Sequence, residues 1–258
     1  MKKEKSKRKV LKSVGYQIMD LEVPVPETKV QIPKIRVSTF NLLDSKDVPY
    51  IQEIVEELST LKSDIVSIHG CTRLNFEHII RAFKQYGYQY TRFDQMHTRS
   101  SGEIMFYHSS VVVKKKEYTN FVRTAQSRGV SKYLVSTPHN PDSEVWVITS
   151  QLEAGSGNGA RKMQIAEIKT IFESTKVPVI FAGDTNIPSW QDLKCPEGWF
   201  DAWREKGTVD NEKTTLLDRM DQVWFKSNGD KSLECIDFSV VCNSSERKGV
   251  LATFEILS

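Results

Sequence analysis

The chain has 258 residues, 39% of them hydrophobic and 27% charged, with a formal net charge of +3. That length suits one large two-layer domain around a single core, and the composition is that of a globular protein. No apolar run approaches the roughly 20 residues that cross a bilayer, which excludes a membrane span.

The first stretch, "MKKEKSKRKVLKS", is basic and lacks the hydrophobic segment of a secretory signal, so the expected location is intracellular, nuclear or cytoplasmic. A nuclear address, a nucleic-acid arm and a solvated end all fit such a tail. The prolines of "LEVPVPETKVQIPK" disfavour helix and central strand and give an extended lead-in. Residues 1–33 are therefore expected to form a basic, proline-containing tail, and residues 34–258 a single domain.

From Lys34 onward, "KIRVSTFNLL" is β-rich, and "VPYIQEIVEELSTLKSD" places Ile51, Ile54, Val55 and Leu58 at helical spacing. The apolar strand "DIVSI" follows, then the amphipathic helix "NFEHIIRAFKQYG", closed by its glycine. "YQYTRF" and "GEIMFYHSSVVVKKKEY" are strand and hairpin material, the lysines being a solvated strand end; "YLVST" and "EVWVITSQLE" are further strands. "GNGARKMQIAEIKTIFEST" predicts a helix with Met163, Ile165, Ile168 and Ile171 toward the core, and "VPVIFAGD" a buried strand. "LLDRMDQVWFK", "LECIDFSVVC" and "KGVLATFEIL" close the chain as strands. Strand pairs interleaved with a few long helices point to a mixed α/β sandwich, sheets inside and helices outside. Cys71, Cys195, Cys235 and Cys242 lack paired spacing and read as reduced thiols, without a disulfide framework or zinc site.

The most informative segment is "VPVIFAGDTNIPSW", where an apolar strand runs into Gly183, Asp184 and Asn186. Period-two alternation would turn a carboxylate and an amide to one side, a pair suited to orienting a water and a phosphate oxygen. Here the chain resembles the endonuclease/exonuclease/phosphatase superfamily, most closely its 5′-tyrosyl-DNA phosphodiesterases. "STFNLL" is similar to the family's first strand, and "DIVSIHG" to its second, which normally ends Leu-Gln-Glu. "GEIMFY" resembles its next hairpin, and "VITSQLEAGSGNGARKMQ" the segment usually written Thr-Ser-His-Leu-Glu-Ser before an Arg-x-x-Gln helix. "IFAGDTN" matches, "LDRMDQVWF" looks like the Arg-x-Asp strand, and "SSERKGVLATFEI" takes the place of Ser-Asp-His-x-Gly-Leu.

The resemblance implies a DNase I-like fold, a four-layer α/β sandwich with two mixed central β-sheets flanked by helices. It also implies magnesium-dependent phosphodiester cleavage. Carried over residue by residue, Asn41, Asp184, Asn186 and Asp221 persist as a remnant polar site, with Asp221 in the position that would orient the final histidine. The rest departs: Gly70 stands where the metal-binding glutamate would be, Gln151 where a histidine would be, and Glu246 and Arg247 replace the terminal Asp-His. Glutamine cannot carry an imidazolium's charge, and arginine does not exchange protons near neutral pH.

His69 adjoins the lost ligand, and a one-residue offset on a strand would turn it to the opposite face, toward the interior, as a structural histidine or a local bulge rather than a ligand. Glu77 reads as a solvated helix residue. Arg247, Lys248 and Arg161, with Lys162 beside it, are the phosphate-binding candidates. Asp184 and Glu246 are the weak candidates for a metal ion. Trp190, Trp203 and Trp224 are either base-stacking rings or core. The expected function is a catalytically inactive relative of a 5′-tyrosyl-DNA phosphodiesterase, without a cofactor, retained to bind nucleic acid or a protein. The alternative is a diverged but active phosphodiesterase on nucleic-acid 5′ ends, using Mg2+ or Mn2+ with Asp184 as base; a protein-interaction module without phosphate affinity is a third reading.

Overall fold

The computed structural model describes residues 32–91, 102–155, 158–188, 191, 193–208, 213–215, 218–242, 245 and 247–257. Alternation in "KIRVSTFN" forms β1 (Lys34–Asn41), which sends Ile35 and Val37 into one core and Phe40 into another. Asp47 caps α1 (Val48–Thr60) by accepting the Tyr50 N–H at 3.2 Å, and Ile51, Ile54, Val55 and Leu58 are buried as the spacing predicts. The chain continues through β2 (Ile65–Cys71), α2 (Phe76–Gln85), β3 (Gln89–Thr91), β4 (Gly102–Tyr107), β5 (Val112–Asn120), β6 (Gly129–Thr137) and β7 (Asn140–Thr149). It then forms α3 (Asn158–Ile171), β8 (Val179–Asp184), β9 (Phe200–Asp201), α4 (Ala202–Lys206), β10 (Asp221–Lys226), β11 (Ser232–Val241) and β12 (Gly249–Leu257).

These strands make two six-stranded sheets, ordered β11-β12-β1-β2-β4-β3 and β5-β6-β7-β8-β10-β9. Both are mixed, since β1–β2 and β7–β8 run parallel among antiparallel neighbours. One apolar cluster lies between the sheets; a second packs α1 and α2 on the first sheet, and a third packs α3 on the second. This is the expected four-layer sandwich.

Two local features depart from the sequence pattern, and both bear on the site. In α3 the buried residues are Arg161, Gln164, Ile165 and Ile168, while Met163 is 41% exposed. Polar residues occupy the inner face because loop carbonyls beside them take their donors: Arg161 donates to the buried carbonyl of Glu153 (2.7 Å) and to that of Gly155 (3.1 Å), and Gln164 to that of Arg123 (3.0 Å).

The second is a β-bulge where β2 meets β4, with Ile68 opposite Ile104 and Cys71 opposite Gly102. His69 and Gly70 together face one residue of β4, and Gly70 takes the left-handed φ of +70° that such a bulge favours. Ile65 points between the sheets and Val66 and Ile68 point to the helices, but beyond the bulge Cys71 also points to the helices. Alternation from Ile65 already sets His69 on the inter-sheet side; the bulge sets Gly70, which a regular ladder would turn to the helices, on that side too.

Among the described residues no helix is long and apolar enough to cross a membrane.

Candidate functional site: an arginine-bridged carboxylate pair

Asp184 ends β8 and Asp221 begins β10, and antiparallel pairing sets them directly opposite each other. Ile180, Ala182, Val223 and Phe225 on these strands fill the inter-sheet core, so by alternation both carboxylates face the same interior; each residue is 0% exposed. Arg247 lies across the pair. Its Nη2 is 2.8 Å from Asp184 Oδ2, and its Nε donates to Asp221 Oδ2 at 3.1 Å.

The Asp184 carboxylate is surrounded by donors from the chain itself. Its Oδ2 accepts from Asn41 Nδ2 at 2.5 Å and from Gln151 Nε2 at 3.3 Å, besides facing Arg247, and its Oδ1 accepts the Asn186 N–H at 3.0 Å. Asn41 reaches it from the end of β1 in the opposite sheet; its own Oδ1 is taken by the Leu43 N–H at 2.8 Å. Gln151 is bridged to Asp184 beyond the end of β7, and its Oε1 accepts from Arg128 Nη1 at 2.6 Å.

Asn186 corrects the period-two expectation. The strand stops at Asp184, Asn186 turns to a left-handed φ of 48°, and its amide donates to the Leu152 carbonyl at 2.9 Å. One side-chain N–H is thus committed to the backbone.

His69 faces the interior. It pairs with Asn41 in the β1–β2 register, is 0% exposed, and its Nε2 lies 3.3 Å from Thr149 Oγ1 across the sandwich. Alternation from Ile65, in register with Asn41, sets it on the site's side of the sheet. Burial lowers its pKa to about 4, with the pull of Asp184 upward and the repulsion of Arg128 and Arg247 downward as smaller effects. Burial pushes the Asp221 carboxyl well above the usual range, against the pull of Arg247. Burial works against the Arg247 charge, but Asp221 and Asp184 outweigh it and raise its pKa.

These residues do not fit a divalent metal ion. Magnesium needs hard oxygen ligands in open positions, whereas Asp184 is met by amide and guanidinium donors on Oδ2 and by a backbone N–H on Oδ1. Position 70 offers no ligand and no room for one: a Cβ there would lie 2.8 Å from Asn41 Oδ1 and from the backbone nitrogens of Leu43 and Asp44. Among the described residues no group of three or more His, Cys, Asp or Glu side chains is arranged to hold a metal. Glu246, the other metal candidate, lies outside the described residues.

The phosphate candidates separate. Arg161 is 0% exposed, and its guanidinium donates to Glu153 O, Gly155 O and Gln191 Oε1, so it fastens a loop and is not free to meet an anion. Arg247 is committed to the carboxylates. Lys248 is half-buried, its backbone N–H donating to Thr214 O at 2.8 Å. Lys162 and Glu77 are exposed.

Trp224 is core, stacked on Phe181 with ring centroids 4.6 Å apart, and Trp203 is covered by the Arg219 guanidinium 4.7 Å from its ring. Trp190 lies outside the described residues. In the lysine run, Lys114 pairs with Glu144, and Lys115 with Glu117. All the cysteines are free thiols, and burial raises the pKa of Cys71 well above its ordinary value.

Sequence reasoning missed Arg128 and the Glu153 network. The Glu153 carboxylate accepts from Thr124 Oγ1 (2.9 Å), the Ala125 N–H (3.3 Å) and Gln164 Nε2 (3.3 Å), tying the loop between β5 and β6 to the site's edge. The glutamine in "ARKMQ" was the available signal, because a helix burying an amide needs a polar partner inside.

No family model matches the chain. Over 105 residues, 38% of this chain, it is 33% identical to tyrosyl-DNA phosphodiesterase 2 of Rattus norvegicus, of whose length the match covers 27%. The structure of TDP2 from Caenorhabditis elegans superposes with a TM-score of 0.70 at 16% identity, covering 86% of this chain and 74% of that one. An endonuclease/exonuclease/phosphatase from Bacteroides vulgatus gives 0.72 at 14% identity, covering 87% and 100%. The chain therefore has the DNase I-like fold of the endonuclease/exonuclease/phosphatase superfamily, and tyrosyl-DNA phosphodiesterase 2 is among the proteins it resembles in both sequence and structure.

Proposed function

We propose that this chain is a phosphodiesterase-fold protein without hydrolytic turnover, retained as a binding protein for nucleic acid or a protein partner. One observation carries the reading: the carboxylate that would act as base or metal partner, Asp184, has both oxygens bonded to donors of the chain itself. A general base needs an open lone pair facing its water, and donors of Asn41, Gln151, Arg247 and Asn186 already surround this carboxylate. The position of the family's metal-binding glutamate is a glycine, and the histidine position is Gln151, already bonded to Asp184. Loss of one such donor costs roughly 2.7–4 kcal/mol of transition-state stabilisation and loss of a general acid or base roughly 10²–10⁴-fold in rate; effects within one unit are not additive.

The test is turnover of a 5′-tyrosyl oligonucleotide with Mg2+ or Mn2+, set beside Asp184→Ala. The expected result is no cleavage above the variant's; cleavage that disappears in Asp184→Ala refutes the reading. Titration with a plain oligonucleotide across salt concentrations then decides the partner: affinity that weakens as salt rises identifies nucleic acid, and absence of binding at all salt concentrations favours a protein.

A further inference from the structure

We infer that Arg247 is the resident cation of this centre, a side-chain charge that stands between Asp184 and Asp221 and excludes a divalent ion from them. The inference rests on the turnover-free reading above and says what an arginine in the terminal histidine's place does to the centre.

Begin with the backbone. Asp184 and Asp221 are cross-strand partners with side chains on one buried face, an arrangement in which like charges repel. Two carboxylates cannot both stay ionised in such a place without a cation. The chain supplies one on the connection between β11 and β12, and Arg247 itself is 8% exposed.

The guanidinium suits this position better than an ammonium would. Its planar fork spreads the charge over both acceptors: Nε donates to Asp221 Oδ2, and Nη2 stands within ion-pair distance of Asp184 Oδ2. The backbone beneath it is also fixed. The Arg247 N–H donates to Ser245 Oγ at 3.2 Å, and Ser245 Oγ bonds the Tyr50 hydroxyl at 2.8 Å. On the other side the Lys248 N–H donates to Thr214 O at 2.8 Å, while Thr214 Oγ1 accepts the Asp221 N–H at 3.0 Å. The arginine and one of its acceptors are thus tied to the same threonine.

Exclusion follows from distance. A magnesium ion would need these oxygens at about 2.0–2.1 Å in octahedral geometry. Guanidinium nitrogens already stand 2.8 and 3.1 Å from them, so ion and arginine cannot share the position. Asp221 Oδ1 is buried without a hydrogen-bond partner, leaving an oxygen that an incoming cation would meet once Arg247 was gone.

The experiment compares the full chain with Arg247→Met, which keeps a long stem and removes the charge. Thermal unfolding is followed in EDTA and in millimolar Mn2+, and Mn2+ binding is read by electron paramagnetic resonance. The wild type is expected to bind no Mn2+ and to melt at the same temperature in both buffers. Arg247→Met is expected to melt about 10 °C lower in EDTA, to bind Mn2+, and to regain part of the loss. That recovery should vanish when Asp221→Asn is added. If Arg247→Met does not fold, the triple variant Asp184→Asn/Asp221→Asn/Arg247→Met is expected to fold, because no carboxylate then calls for a cation; failure of both overturns the inference. So does Mn2+ bound by the wild type and lost in Asp184→Ala, or an Arg247→Met protein as stable as wild type and indifferent to Mn2+. The turnover assay is read separately. Cleavage without Mn2+ bound at Asp184 would sink the turnover-free reading and leave Arg247 as the cation, whereas bound Mn2+ without cleavage would do the reverse.

Discussion

Substituting His69 by glutamine isolates the cost of keeping a neutral imidazole beneath the carboxylate pair. His69 is 0% exposed, and its pKa falls from 6.5 to about 4, with burial the main cause. A group whose folded pKa lies below its unfolded value contributes stability that is complete above the unfolded pKa and is lost as pH falls toward the folded one. The window therefore runs from about 6.5 down to about 4. At ~1.4 kcal/mol per pH unit the whole gap is worth about 3 kcal/mol, of which about 2 kcal/mol is gone by pH 5.

The assay is urea unfolding of the wild type and His69→Gln at pH 7.5 and pH 5. Other groups titrate equally in both proteins, so the difference between the two pH dependences belongs to the imidazole. The wild type is expected to lose about 2 kcal/mol more than the variant on acidification. Glutamine keeps a polar group within reach of Thr149, whose Oγ1 is 3.3 Å from the imidazole Nε2, so the two proteins should lie close together at pH 7.5. Parallel pH dependences would show that the folded imidazole takes up its proton as readily as the unfolded one. The account of a dry, proton-excluding interior would then be wrong.

Gly70→Ala should lower stability by about 2 kcal/mol or more, measured by denaturant unfolding, because a left-handed backbone and close contact with Asn41 Oδ1 both oppose a Cβ. Gly70→Glu should fare worse and gain no turnover on a 5′-tyrosyl oligonucleotide, since the restored carboxylate has no space beside Asn41. Arg161→Met should cost about 2–4 kcal/mol and speed amide exchange in residues 151–155, where buried carbonyls lose their donor. Met163→Gln, by contrast, should shift stability by less than about 0.5 kcal/mol, because the side chain stands in solvent.

The order of elements was legible because the hydrophobic periods are clean. Ile51, Ile54, Val55 and Leu58 mark one face of α1, and the apolar run before Gly183 and Asp184 can only be a buried strand. Met163 misled because apolar spacing records where hydrophobic groups could pack, whereas the burial of Arg161 and Gln164 is dictated by carbonyls of a loop that periodicity does not see. The bulge itself was less legible: alternation from Ile65 sets His69 in the interior, but that Gly70 joins it on that side required the broken ladder opposite β4. Asn41, Asp184 and Asp221 were legible as residues, but their convergence with Arg247 required the pairing of β8 with β10 and the meeting of the two sheets.

The departures at Gly70 and Arg247 are physically coupled. A centre with carboxylates at positions 70, 184 and 221 would carry an excess of negative charge that a dication reduces most in a dry interior. Replacing the carboxylate at position 70 by glycine removes one charge, yet Asp184 and Asp221 would still face each other unpaired across the β8–β10 ladder. Placing arginine at position 247 supplies the remaining cation from within the chain, at the cost of the position a metal would need. Three carboxylates with a dication and two carboxylates with one guanidinium each leave a single negative charge, which a proton on the buried Asp221 can neutralise, whereas either change alone leaves two. The stability effects of changes at these two positions should therefore be non-additive, as expected for groups that share one charge balance.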